Sequence, residues 1–230
     1  MKRTGNPARF FNIMKKIDNK IPVPPVFEPM ACNTAGPEAV AAETDHITDT
    51  AFANLTVTGL AAEHRSWHNC RFSGMGFVAC KFKGSQMTDL RFERCDLSNI
   101  SFNGSSLYRV EFADCKLVGT DFSDTVMTHV LFENCSCRYV NMSMAKLRTV
   151  AFRGCNLQGG VFGMSRLGPA TFEKCDLRES DFSRTSLKDI DLCSCDIDGI
   201  VLNPEDLRGA IVDSVQALGL ARLLGVVIKD

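Results

Sequence analysis

The sequence lacks a long apolar run, a strong excess of charge and a recognisable secretion signal. No window approaches the roughly 18 apolar residues of a membrane-spanning helix, so no membrane segment is predicted. The formal net charge of −1 argues against direct binding of nucleic acid or of an anionic membrane. The basic N-terminus has no apolar stretch of signal-peptide length, and we therefore expect a cytoplasmic protein with reduced cysteines.

Enzyme motifs are also missing. The sequence contains no phosphate-binding glycine loop, no nucleophile elbow, no dinucleotide fingerprint and no paired zinc histidines. The four histidines, at positions 46, 64, 68 and 129, stand in no metal-ligand or nucleophile–base arrangement. The sequence predicts a protein that is not an enzyme and that needs neither a metal nor a cofactor.

What the sequence does contain is an apolar residue at every fifth position from Phe52 to Leu207, without interruption. All 32 positions in this frame are apolar, and they include 13 of the 16 phenylalanines. A period of five fits neither a helix nor a strand, and a fixed internal period indicates a solenoid. We call this residue position i of its pentapeptide. Position i−2 is small or apolar, whereas i−1, i+1 and i+2 are mostly polar and are expected to face solvent.

A second period of 20 residues groups the pentapeptides in fours. Phenylalanine recurs at positions 52, 72, 92, 112, 132, 152 and 172, and cysteine at positions 95, 115, 135, 155, 175 and 195. Four pentapeptides per turn would place each set in one column of a four-sided coil, with about eight coils stacked ~4.8 Å apart.

The cysteine column invites a metal or redox interpretation. A line of thiols cannot surround a tetrahedral ion, so we predict that these cysteines are core packing. Cys137 occupies an i position and is also expected in the core. Cys193, at i+1, is the repeat cysteine expected to face solvent, and it is the candidate for reactivity.

Composition divides the chain into three parts. Residues 1–50 form a basic and proline-rich leader, residues 51–212 the repeat array, and residues 213–230 a capping helix followed by a strand. Residues 8–17 have helical apolar spacing, either to dock on the array or to bind a partner or membrane. Four of the eight prolines fall in residues 22–29, which predicts a stiff, extended connector.

The C-terminal helix has apolar residues on more than one side. Asp213 or Ser214 can begin the helix and Gly225 can end it. One apolar side is expected to cover the last coil of the array: Ala217, Leu220, Ala221 and Leu224. Three further apolar residues are left over, either to complete the cap or to form a homodimer: Val215, Leu218 and Leu223.

The unbroken frame resembles the pentapeptide repeat family, whose pattern is A(D/N)LXX and its variants. The resemblance covers about 155 of the 230 residues and implies an all-β solenoid, a right-handed quadrilateral β-helix. The Phe and Leu columns, the cysteine at i−2 and the stretch from Leu207 to Gly225 are similar to the Qnr-like and MfpA-like subgroup. That similarity implies a dimeric rod that imitates DNA, binds DNA gyrase or topoisomerase IV and lowers fluoroquinolone susceptibility.

Charge is unevenly distributed along the array. Residues 64–94 carry a net charge of +4, whereas residues 171–213 carry a net charge of −6. Two copies joined at the helix would form a continuous negative rod, as a DNA mimic requires. The predicted partner-binding residues are Glu173, Asp176, Glu179, Asp181, Asp189, Asp191, Asp196 and Asp198. The alternatives are a solvated acidic end without a partner, and a general interaction scaffold or effector with an unknown partner.

Overall fold

The computed structural model describes residues 21–27 and 45–227. Within these residues the chain forms short strands, one α-helix and two 3₁₀ turns. The strands are β1 His46–Thr48, β2 Ala51–Ala53, β3 Thr56–Thr58, β4 Ser66–Ser73, β5 Gly76–Val78, β6 Gln86–Glu93, β7 Ser106–Ala113, β8 Val126–Glu133, β9 Lys146–Arg153, β10 Arg166–Leu167 and β11 Ala170–Glu173. The 3₁₀ turns are Pro204–Leu207 and Arg222–Leu224, and the helix, α1, is Ser214–Ala221.

Every strand pair is parallel, and each residue pairs with the residue 20 positions further along the chain. The main sheet follows the order β1-β4-β6-β7-β8-β9-β10, with β2 on β4 and β11 on β9, and β3 pairs β5 in a second sheet. Single bridges with the same offset continue the stack as far as Asp191 and Ile211. The predicted all-β solenoid of stacked 20-residue coils is therefore confirmed. Its pairing already begins at His46, inside the segment assigned to the leader.

Position i+2 of nearly every pentapeptide has a left-handed backbone, and this turn makes the five-residue period. Asn54, Asp89 and His129, for example, have φ of 55°, 55° and 56°. Asparagine, aspartate and glycine tolerate this conformation best, which explains their frequency at i+2. The turn directs the side chains of i−2 and i inward and leaves the other three facing out.

The core is built from stacked aromatic rings. Phe72 and Phe92 lie parallel with ring centroids 4.6 Å apart, and Phe162 and Phe182 repeat this arrangement in the second phenylalanine column. Rings of the two columns meet edge to face, as Phe112 and Phe122 do at 5.9 Å. Both ring arrangements are favourable beyond the area that they bury. The phenylalanine period in the sequence is therefore the ring spacing of the core.

Residues at i−2 tie each coil to the preceding one. Cys95 Sγ donates to the carbonyl oxygen of Phe72 at 3.4 Å, and Ser105 Oγ donates to that of Phe82 at 2.8 Å. The other column cysteines make the same bond, which satisfies a buried carbonyl with a small donor. The packing interpretation of the cysteine column is confirmed, and Cys137 is also fully buried.

Helix α1 caps the last coil only in part. Asp213 and Gln216 form a capping box: Gln216 N donates to Asp213 Oδ1 at 2.8 Å, and Asp213 N donates to Gln216 Oε1 at 3.0 Å. The Gln216 amide also donates to the carbonyls of Leu192 and Cys195 at 2.9 and 2.8 Å. This polar side therefore faces the coil, and Ala217, which was predicted to cover it, is exposed.

The apolar contact of the cap comes from one side of the helix. Leu220 packs against the core and Ala221 is half-buried, as predicted. No residue of α1 is fully buried. Val226 and Val227 form no strand. Leu224's side chain and residue 228 lie outside the described residues.

Candidate interaction surfaces

The eight acidic residues predicted to bind a partner all point away from the core. Six are exposed, while Asp176 and Asp181 are half-buried. The 20-residue period distributes them over all four sides of the rod, so they form no single stripe. Only Asp176, Glu179, Asp196 and Asp198 share a side, with Asp176 bridged to Asp196 on the next coil. We call these four residues the acidic face.

Arg178 lies within the acidic face and reduces its charge. Its Nη2 is 2.6 Å from Asp176 Oδ2, and its Nε is 3.5 Å from Asp196 Oδ2. The hydrogen bond from Arg178 holds the pKa of Asp176 below its ordinary value, although partial burial acts in the opposite direction. With Arg178 included, the acidic face carries a net charge of −3.

The aspartates at i−1 also have a structural role. Oδ1 of each accepts the backbone N–H of i+1, as in Asp181 to Ser183 at 2.8 Å and Asp196 to Asp198 at 3.2 Å. The same bond recurs at Asp176 and Asp191. Such side-chain bonds stabilise turns. Glu179 and Asp198, whose carboxylates accept no hydrogen bond within the described residues, are therefore the acids with the least structural role.

Beside the acidic face, helix α1 exposes the apolar residues predicted for dimerisation. Val215, Leu218 and Leu223 have 75%, 55% and 41% of their surface exposed. A groove of about 710 Å³ separates the helix from the last coil, lined in part by Ile197 and Leu220. The position of these side chains agrees with the prediction, whereas the dimer itself stays a prediction.

Residues 21–27 form an extended segment, which we call the strap, along one edge of the array. Val26 N donates to Asp89 Oδ1 at 2.8 Å, and Val23 N lies 3.4 Å from His129 Nδ1. The Arg71 guanidinium lies 4.2 Å from the centroid of the Phe27 ring. These partners belong to β4, β6 and β8, so the strap crosses the strands along the rod axis. The predicted stiff connector is extended, as expected, but it contacts the array. Residues 8–17 lie outside the described part of the chain.

The strap covers a polar cluster that the sequence did not reveal. The Asp89 side chain is 3% exposed, although i+2 is an outward position. Arg109 binds both of its oxygens, with Nε 2.6 Å from Oδ1. His68 Nε2 lies 3.7 Å from Oδ2. Burial alone would raise the pKa of Asp89, but the bonds from Arg109 and the Val26 N–H outweigh it and hold this pKa below its ordinary value.

The cysteines offer little reactivity. Burial raises the pKa of the Cys70 thiol to about 11, so that thiol is protonated at neutral pH. Cys193 is exposed, as predicted. The neighbouring carboxylate of Asp191, which accepts from the thiol, raises the pKa of Cys193 and disfavours its thiolate.

Two searches of residues 21–27 and 45–227 gave negative results. These residues contain no group of three or more His, Cys, Asp or Glu side chains that could hold a metal ion. The helices among them are too short and too polar to cross a membrane.

Family models match the repeat array directly. The model described as "Pentapeptide repeat region" matches residues 85–162, and that described as "Pentapeptide repeats (8 copies)" matches residues 166–199. The matched ranges coincide with the stacked coils described above. The chain belongs to the pentapeptide repeat family. Among curated protein sequences, none matches this pentapeptide repeat protein.

Solved pentapeptide repeat structures show a limited likeness. HetL from Nostoc sp. strain PCC 7120, a protein involved in heterocyst differentiation regulation, is 12% identical with a TM-score of 0.41 over 76% of this chain and 92% of HetL. Full-length QnrB1, a plasmid-mediated fluoroquinolone resistance protein, is 23% identical with a TM-score of 0.31 over 79% of this chain and 90% of QnrB1. Likenesses at this level indicate no function.

Proposed function

We propose that this protein is a non-enzymatic, protein-binding rod that imitates DNA and binds DNA gyrase or topoisomerase IV through its acidic C-terminal coils. The observation that carries the proposal is the acidic face, with a net charge of −3 on two successive coils. Coils stacked ~4.8 Å apart repeat their charges along the rod as phosphates repeat along a duplex. A surface that binds DNA is basic, so it complements such a face and steers it during association.

The exposed side of α1 extends this proposal to a homodimer. Val215 and Leu218 would be shielded from water against a second copy, which their exposure of 75% and 55% makes favourable. Because α1 adjoins the acidic face, the joined copies would carry two such faces on one longer rod. A longer acidic rod offers an enzyme that binds duplex DNA more of the charge pattern that it recognises.

A gyrase supercoiling assay, with and without a fluoroquinolone, tests the proposal. We expect the purified protein to change supercoiling or to protect gyrase from the drug at about micromolar concentration or below. Reversing Glu179 and Asp198 to lysine should remove the effect, because both carboxylates are exposed and neither holds a turn. These positions are cleaner than Asp176 or Asp196, whose reversal would also break a turn bond.

The matched control keeps the change in charge and moves its position. Asp114 and Asp124 are exposed i+2 residues on earlier coils, and their reversal to lysine should leave the gyrase effect intact. If the wild-type protein alters neither supercoiling nor drug sensitivity, the DNA-mimic proposal is wrong. Equal losses in both pairs of variants would show that only net charge matters.

A different surface favours the second candidate, a general interaction scaffold. Met144 and Met164 are 44% and 51% exposed on adjacent coils, beside Val161 and Val201 at 36% and 50%. Methionine-rich surfaces adapt to several partners. In a pull-down from cell extract, Met164→Glu should lose the partners of a scaffold and retain gyrase, whereas Glu179→Lys should do the opposite.

A further inference from the structure

The strap and the coils beneath it share a repeat distance. A polyproline II helix has three residues per turn and advances ~3.1 Å per residue, so one turn measures ~9.3 Å. Two coils of the array measure ~9.6 Å. Val23 and Val26 are three residues apart, and their partners His129 and Asp89 are two coils apart. Successive turns of the strap therefore present the same side to every second coil.

The prolines of the strap leave no donor unused over this distance. Pro22, Pro24 and Pro25 have no N–H group. The two N–H groups that remain between positions 22 and 26 both face acceptors on the rod. Prolines also bias their neighbours toward the same extended conformation, which lowers the entropy lost on docking. The strap thus has the composition of a polyproline ligand.

The receiving edge has the matching composition. Asp89 and His129 are acceptors, and between them Arg109 is a donor that binds the Asp89 carboxylate on both oxygens. Since arginine and histidine occupy the same i+2 turn at positions 109 and 129, the turn does not itself require aspartate at 89. A carboxylate 3% exposed is costly unless it is bonded, and its remaining bond goes to the strap.

We propose that this edge of the rod is a binding site for polyproline II segments, and that residues 21–27 are its intramolecular ligand. The partner that it fits is a proline-rich segment with two apolar residues three positions apart, whose N–H groups reach Asp89 and His129. An aromatic residue after the second of these stacks on Arg71, as Phe27 does. A partner segment of this kind binds when it displaces the strap. This site is separate from the acidic face and does not depend on gyrase binding.

Amide hydrogen exchange in the full chain tests whether the edge holds the strap. We expect the Val26 amide of the wild-type protein to be protected, and the Asp89→Asn variant to exchange it roughly ten-fold faster or more, because a bond to a charged acceptor is lost. Asp114→Asn is the matched control, since Asp114 occupies an exposed i+2 turn, and it should leave Val26 unchanged. A Val26 amide that exchanges freely in the wild-type chain would overturn the proposal.

Binding of a labelled peptide tests whether the edge accepts a ligand from another molecule. The probe is a synthetic peptide with the sequence of residues 20–28, measured by fluorescence anisotropy. The recipient is the full chain with Val26→Pro, which removes one N–H of the strap but keeps its extended conformation. We expect this chain to bind the peptide at least about ten-fold more tightly than the wild type, whose own strap competes.

Two variants make that result specific. A peptide with the same Val26→Pro change should not bind, and the Val26→Pro chain that also carries Asp89→Asn should lose the wild-type peptide. Binding that survives both changes would show an unspecific apolar contact and overturn the proposal. Absence of peptide binding to every chain would also overturn it, because the edge would then hold only its own segment.

Discussion

Asp89 and Asp189 occupy the same column of the array, five coils apart, and have opposite surroundings. Both have a left-handed backbone, with φ of 55° and 64°. Asp89 is buried under the strap and bound by Arg109, whereas Asp189 is exposed. The repeat fixes the backbone and the direction of a side chain. What lies over that side chain decides its chemistry.

The same contrast separates the two ends of the rod. Near β4 and β6 the strap covers one edge of the outward surface. At the other end, α1 covers the last coil incompletely and leaves Val215 75% exposed. The covered edge points to a ligand that the chain itself supplies, and the open end points to one that another molecule must supply. The predictions below test each half of this contrast.

The largest effect is expected at the open end. Replacing Val215 and Leu218 together by glutamate should abolish the homodimer, raising its dissociation constant about 100-fold or more, because charges would enter an apolar interface. Light scattering after gel filtration should show a mass of 25.3 kDa for the variant and twice that for the wild type. Val78→Glu, on an exposed part of the array, is the control and should remain dimeric. A wild-type protein that elutes as a monomer would contradict the dimer.

The next effect is expected at the covered edge. Arg109→Met should lower the free energy of unfolding by about 3 kcal/mol, because it removes the bidentate partner of a buried carboxylate. Arg94→Met is the matched control: Arg94 also has a left-handed backbone, but its partner Glu93 is a surface residue. Its loss should cost about 1 kcal/mol or less. Equal losses in urea unfolding would show that the two ion pairs are equivalent and would remove the contrast.

Acid should weaken the covered edge. Because the pKa of Asp89 is held below its ordinary value, its ionised form stabilises the fold above about pH 4. That contribution is lost as the pH falls through the lowered pKa. We expect the stability difference between the wild type and Asp89→Asn, measured by urea unfolding, to shrink between about pH 6 and pH 3. A difference that stays constant over this range would mean that ionisation of Asp89 does not stabilise the fold.

The smallest effect compares the two aspartates directly. Asp189→Asn should change the free energy of unfolding by about 0.5 kcal/mol or less, as substitutions of exposed side chains usually do. The same change at Asp89 should cost about 1.5 to 3 kcal/mol, the range for bonds to charged groups. Thermal or urea unfolding of the two variants side by side decides it. Similar costs at both positions would show that the column, not its cover, sets the energy.

Most of the fold was predictable because it repeats. The five-residue frame indicated which side chains point inward, and the 20-residue columns of Phe and Cys indicated which of them stack. Phe72 on Phe92 at 4.6 Å is the direct physical form of that period. The end cap was less predictable, because Gln216 bonds to the carbonyls of Leu192 and Cys195 and takes the direction expected for Ala217.

The candidate sites were predictable only in part. The acidic residues were found from composition, but the faces they occupy and the neutralising position of Arg178 follow from the way coils stack. The strap carried one visible signal, its prolines. Its acceptors, Asp89 and His129, are 40 residues apart in the sequence and are linked only by the spacing of two coils.

The sequence by itself determined the period, and through it the inward and outward positions, because a pentapeptide that turns after five residues must bury its i and i−2 side chains. Only the tertiary structure decided which outward residues are covered. Burial at the surface depends on a segment that is distant in the chain, and no local pattern records that contact. Asp89 is a turn residue in the sequence and a buried, bonded carboxylate in the folded protein.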